Sequence, residues 1–181
     1  MSLTTPQLAT LKAAILAETD PVLVSYRTAG ATGAMQAWYN APGLYIVWST
    51  STPTAVLFDS VIWANLTPAD TPDTTQIWEN RSLACQGKQF NLQTMLTGRD
   101  SLGTGKPNIR AGLQDALTNV PSGVGGVLMG AGWTAVKSAM QRFASRAEAL
   151  YAIGTGTAAV PGVLVLDGAI VEYDVIQALY Q

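Results

Sequence analysis

The chain has 181 residues, of which 48% are hydrophobic and only 12% charged; its formal net charge is −2, it has no histidine, and Cys85 is its single cysteine. Histidine is the usual general base near neutral pH and the commonest metal ligand, and a lone thiol makes neither a zinc site nor an internal disulfide. The composition therefore points to a protein that is no enzyme and carries no cofactor or metal, and the acidic balance argues against wholesale nucleic-acid binding.

An average soluble domain is about 25% charged, so part of this apolar surface is expected to be covered by neighbouring copies; a monomer with a Ser, Thr, Gln and Asn surface is the alternative. Residues 1–75 carry a net −3, residues 76–146 a net +5 and residues 147–181 a net −4. Acidic ends around a basic middle suit head-to-tail association in a ring, or neutralisation within one fold. The N-terminus lacks a basic n-region, and Lys12 interrupts its apolar stretch, so export is not indicated. The apolar run Val124 to Val136 is shorter than the roughly 18–20 residues of a spanning helix. Synthesis in the cytoplasm and no membrane association are expected, and the sequons at Asn65 and Asn80 are chance matches.

Proline after Thr or Asp marks helix starts along the chain. A helix follows Pro6 to about Ala17 with Leu8, Leu11 and Ile15 on one face. A short helix from Pro21 stops at Gly30, and a third, carrying Met35 and Trp38, ends near Asn40-Ala41-Pro42. Leu44 to Thr50 is a strand or extended segment. A helix from Pro53 is expected to bury Val56, Leu57 and Val61. A long helix spans about Asp73 to Thr97, with Ile77, Trp78, Leu92, Met95 and Leu96, and Gly87 is a place for a bend.

Arg99 to Gly105 reads as a polar loop, and Pro107 opens a helix with Ile109, Leu113 and Leu117 inward. Beyond the breaker cluster Pro121 to Gly126, Trp133, Val136, Met140 and Phe143 form a helical stripe. Ser145 and Glu148 make a capping box for a helix ending at Gly154. Val163 to Leu166 and Ala169 to Val171 flank Asp167-Gly168, which reads as a β-hairpin. A helix from about Tyr173 to Tyr180 closes the chain. These elements make one mainly α domain over 1–181, helical over 1–157, with a small C-terminal β-hairpin and terminal helix over 158–181.

Sites for chemistry are hard to build from these residues. Gly98 to Pro107 has the look of a phosphate loop, but Asp100 stands where the first glycine belongs and Pro107 where the hydroxyl belongs. Gly154-Thr-Gly156-Thr follows a helix, not a strand, so it does not fit the dinucleotide fingerprint. Asp70 with Asp73, or Glu172 with Asp174, could in principle form an acid/base pair, but scattered carboxylates at capping positions are far more often solvated or dipole-compensating. Cys85, within a helix, reads as an inert buried thiol.

Three stretches carry a resemblance: Asn40-Ala41-Pro42 with Val47-Trp48 and Ser51-Thr52-Pro53; Lys106 to Gly112; and Ser145 to Ala152 leading into Gly154 to Thr157, with Pro161 and Gly168. In this order, and with Leu11 to Ala17, the chain resembles small virion-associated proteins of tailed bacteriophages. Its helical plan is similar to that of head–tail connector (adaptor) proteins. The resemblance implies a structural subunit of the virion neck, a ring, commonly of twelve subunits, that contacts portal and tail proteins and leaves a lumen through which DNA passes. Capsid decoration or tail assembly is the alternative role; an enzyme using carboxylates or Ser/Thr is the alternative of another class. The partner-contact candidates are Tyr173, Val175, Ile176, Leu179 and Tyr180. They serve either as docking surface or as the subunit's own core.

Overall fold

The computed structural model describes residues 3–66, 78–121 and 128–180. The chain forms two compact units, one from Met1–Trp48 with Arg142–Gln181 and one from Ser49–Gln141.

The first unit opens with α1 (Thr5–Ala17), α2 (Pro21–Thr28) and α3 (Thr32–Asn40), each within a residue or two of its expected place. Local signals explain the boundaries. Gln7 reaches back to the Thr4 N–H at 2.9 Å, and Asp20 caps α2 by accepting the Val22 N–H at 2.8 Å. Arg27 then closes α1 from outside, donating to the carbonyls of Ile15 and Leu16 at 2.7 and 2.9 Å. Strand β1 (Pro42–Trp48) follows and pairs with β4 (Gln141–Ser145). The unit is completed by α8 (Arg146–Tyr151) and α9 (Glu172–Tyr180). One core joins them: Leu8, Leu11 and Ile15 of α1 pack with Leu23, Met35 and Tyr39, with Ala147 of α8, and with Val175 and Ala178 of α9.

The second unit contains β2 (Thr52–Pro53), α4 (Thr54–Asp59), a 3-10 turn (Trp63–Leu66), α5 (Trp78–Leu96), β3 (Ser101–Leu102), α6 (Pro107–Leu117) and α7 (Trp133–Ala139). Leu57, Leu66, Cys85, Leu92, Leu113, Leu117 and Val136 are buried in it. β2 and β3 pair antiparallel with Thr52 opposite Leu102 and Pro53 opposite Ser101, so the expected polar loop holds a strand. Gly132 opens α7 with φ +92, and a Cβ there would lie 2.5 Å from the Ser60 carbonyl oxygen; both backbone angle and space demand glycine.

The expected fold class, a mainly α domain with a small C-terminal β-hairpin, needs correction: the described residues are mainly helical, but their paired strands do not lie at 163–171. Residues 163–171 form no hairpin. Val163 instead bridges to Ile153, Gly162 bridges to Val47, and the paired strands lie within the stretch 1–157 that was expected to be helical. The reason is geometric. A two-residue Asp167-Gly168 turn would put Leu166 and Ile170 on opposite faces, because successive strand residues alternate. Both are buried in the same core, so the segment must bend rather than pair with itself.

Smaller corrections follow the same logic. The helical stripe breaks after Met140: residues 141–145 leave the helix to pair with β1, and Phe143 is exposed. The helix capped by Ser145 ends at Tyr151, not Gly154. Val56 is exposed while Leu57 and Val61 are buried. Gly87 does not interrupt α5. The expected start of that helix near Asp73, Ile77, and most of the breaker cluster Pro121 to Gly126 lie outside the described residues.

Candidate functional site

Helix α9 begins where Asp174 folds back on its own N-terminus. Its fully buried carboxylate accepts the Val171 N–H at 2.9 Å and the Leu3 N–H at 3.1 Å, which also ties down the start of the chain. Amphipathic spacing then sorts the five partner-contact candidates into two sets. Val175 is buried and Leu179 packs half-buried against the same core. Tyr173, Ile176 and Tyr180 point outward, 60%, 37% and 73% exposed. They fall at i, i+3 and i+7, a single stripe on the outer side of the helix. The structure thus separates residues that the sequence had grouped: the inner pair anchors the helix, and the outer three make an apolar, aromatic surface.

The loop resembling a phosphate cradle is filled by its own atoms. Thr104 is fully buried, its hydroxyl 2.7 Å from that of Thr52 and donating to the Ser49 carbonyl at 2.8 Å. Arg110 donates to the carbonyls of Thr104 and Gly105 at 2.8 and 2.7 Å. These contacts shape the entry to α6.

Gly156 and Gly162 have an equally structural role. A Cβ at either would overlap the ring of Tyr45, whose hydroxyl donates to the Gly154 carbonyl at 2.6 Å. The glycine-rich run exists so that this ring can lie against backbone. β1 fixes the run as well, through Ile46 N–H to Gly156 O at 2.8 Å and Trp48 N–H to Gly162 O at 3.0 Å.

The strongest polar cluster was only half visible in the sequence. The capping box forms as expected, with Glu148 N–H to Ser145 Oγ at 3.1 Å and Ser145 N–H to Glu148 Oε2 at 2.8 Å. Its ion-pair partner was missed. Arg142 grips both carboxylate oxygens of the buried Glu148 at 2.8 Å and reaches Asp167 Oδ1 at 3.2 Å. The Gly168 N–H adds a bond to Glu148 Oε1 at 3.1 Å. Burial pushes the Glu148 carboxyl up, but the Arg142 hydrogen bonds, the two backbone N–H groups and the Arg142 charge together hold it below the ordinary value. Nothing in the spacing of Arg142 and Asp167 announces this contact, because a strand and an irregular segment bring them together.

Of the candidate acid/base pairs, Asp70 and Asp73 lie outside the described residues. In the other pair, Asp174 serves the two backbone N–H groups above and Glu172 accepts the Thr32 hydroxyl at 2.6 Å. Cys85 is buried and donates to the Leu66 carbonyl at 2.8 Å, and burial raises its thiol pKa. Among the described residues, no cluster of three acidic or cysteine side chains could hold a metal ion, and no helix is long and apolar enough to cross a membrane. Comparison with family models, curated proteins and solved structures finds no match to this chain.

Proposed function

We propose that the protein is a structural subunit of a tailed-phage neck, a head–tail connector ring that bridges the portal to the next tail component and leaves a lumen for DNA. The observation that carries this reading is the outward stripe of Tyr173, Ile176 and Tyr180 on a helix whose other side is locked into the core. Aromatic residues held on a rigid helix give large contact area at low entropic cost, which suits docking into a groove on another subunit. The low charge of the chain supports the same reading.

The stretches that carry the resemblance sit at framework positions. Asn40 hydrogen-bonds the backbone of Ile170, Arg110 closes the loop before α6, and Ser145 with Glu148 caps α8. Likeness at such positions supports a shared scaffold, and the virion role is carried over from it by analogy. The mechanism is geometric: α9 is presented in a fixed orientation, and repeated identical contacts close a ring, of twelve subunits if it matches the portal.

The test replaces Tyr173, Ile176 and Tyr180 together by Ser and mixes the variant with portal protein. The variant should keep its helical circular dichroism and fail to form rings in negative-stain images and sedimentation. Wild-type protein that stays monomeric even with portal present would count against the reading.

A further inference from the structure

Helix α5 turns Cys85, Leu92 and Leu96 into the core of the second unit, so its opposite side faces solvent. On that side lie Leu83 and Phe90, 64% and 68% exposed, with Gln86, Gly87 and Thr94 beside them. From Leu83 to Leu96 the only charged residue is Lys88. It is turned toward α6, where it donates to the Asp115 carbonyl and pairs with Asp115 Oδ1 at 3.6 Å. Solvent-facing helix sides ordinarily carry Lys, Arg or Glu. About four turns of this one carry none.

Gly87 sits at the middle of this side for no reason internal to the chain. Its φ is not left-handed, and a Cβ there would meet nothing within 4 Å among the described residues. Glycine inside a helix is destabilising relative to alanine. What it supplies in return is room for another backbone to come close.

We propose that this side of α5 binds the same side of a second copy, the two helices running antiparallel about a two-fold axis between Gln86 and Gly87. The spacing is self-complementary. Leu83 lies as far before that axis as Phe90 lies beyond it, so the Leu83 of each copy meets the Phe90 of the other. Gly87 falls beside the axis, where the two backbones are nearest. Charge decides the occupant: an isologous contact sets a surface against itself, where like charges would repel, and this side has none. A charged partner would find no complementary charge here. The inference does not depend on the neck reading, which rests on α9.

The test is sedimentation velocity of the full chain without portal. A monomer–dimer equilibrium with a dissociation constant in the micromolar range is expected. Leu83→Ser with Phe90→Ser should weaken it at least about tenfold. Gly87→Gln separates docking from folding. As a better helix former with room in its own chain, it should raise the thermal midpoint of the dilute monomer and yet weaken the dimer by a similar factor. The variant with Tyr173, Ile176 and Tyr180 replaced by Ser should dimerise as wild type does. Under mild oxidation Gln86→Cys, next to the axis, should give a disulfide-linked dimer, and Thr94→Cys, roughly 22 Å from its copy, should not. A wild-type chain that stays monomeric at ~1 mM overturns the inference. So does a dimer that the Leu83 and Phe90 changes or Gly87→Gln leave intact, or one that Thr94→Cys links and Gln86→Cys does not. A monomeric chain whose portal binding the Leu83 and Phe90 changes abolish gives this side to another protein, and overturns it equally.

Discussion

Asn40 holds Ile170 by both of its backbone groups. Its Nδ2 donates to the Ile170 carbonyl at 2.8 Å, and the Ile170 N–H donates to its Oδ1 at 3.0 Å. One side chain on α3 thereby does for this residue what a neighbouring strand would otherwise do, and it keeps a β-prone segment from pairing with itself. Asn40→Leu should cost about 1–3 kcal/mol, the price of leaving a buried peptide unpaired. Gln36→Leu should cost less, because Gln36 shares the same carbonyl with Asn40, at 3.1 Å. Urea midpoints of the two variants test the order.

The contact of Tyr45 with Gly162 gives a cleaner test of packing. Gly162→Ala should destabilise the protein by about 1–3 kcal/mol, because a methyl group must enter space already held by the ring. In a Tyr45→Ala background the added methyl meets no ring, and most of that cost should vanish. A double-mutant cycle measures the coupling. Equal costs in both backgrounds would show that the glycine is needed for some other reason.

Acid should loosen the region around α8. Glu148 is held below the ordinary carboxyl value of about 4.3. Its contribution is therefore complete above that value and is lost as pH falls through the lowered folded pKa. Glu148→Gln should be less stable than wild type at neutral pH, and the gap should narrow on acidification. Arg142→Met, which leaves a buried carboxylate without its cation, should destabilise more than Glu148→Gln at neutral pH. Thermal midpoints between pH 3 and pH 7 provide the comparison, and parallel curves for wild type and Glu148→Gln would contradict the assignment.

Cys85 should behave as a buried structural thiol. Its raised pKa and burial predict slow reaction with a thiol reagent at pH 8 until the protein is unfolded. Cys85→Ala should cost about 1–2 kcal/mol, since the Leu66 carbonyl loses its donor. Rapid labelling of the folded protein would reopen a reactive role.

Helices α1, α2 and α6, which start at a proline, and α3, which ends before Pro42, were legible and lie close to where the sequence places them. What was not legible depends on contacts distant in sequence. Residues 141–145 read as helix from Met140 and Phe143, and only the presence of β1 makes them a strand. Val163 to Val171 reads as a hairpin from its dipeptide and β-branched runs. Asn40, Glu148 and a shared core for Leu166 and Ile170 override that local preference. On the candidate site, the sequence identified an apolar terminal helix but not its two sides, because the register of α9 against α1 and α3 decides which residues face out.

Because the first unit is assembled from Met1–Trp48 and Arg142–Gln181, its core contains residues from both stretches. On the ribosome, α1 to β1 emerge with their apolar faces bare and must wait through the making of Ser49–Gln141 before α8 and α9 arrive. The second unit is contiguous and can fold in that interval. A nascent chain stalled shortly after Gln141 has left the exit tunnel should therefore protect Leu57, Leu92 and Leu117 from proteolysis and leave Leu8, Leu11 and Ile15 open. The order of manufacture makes the outward stripe on α9 a later surface than any in the second unit.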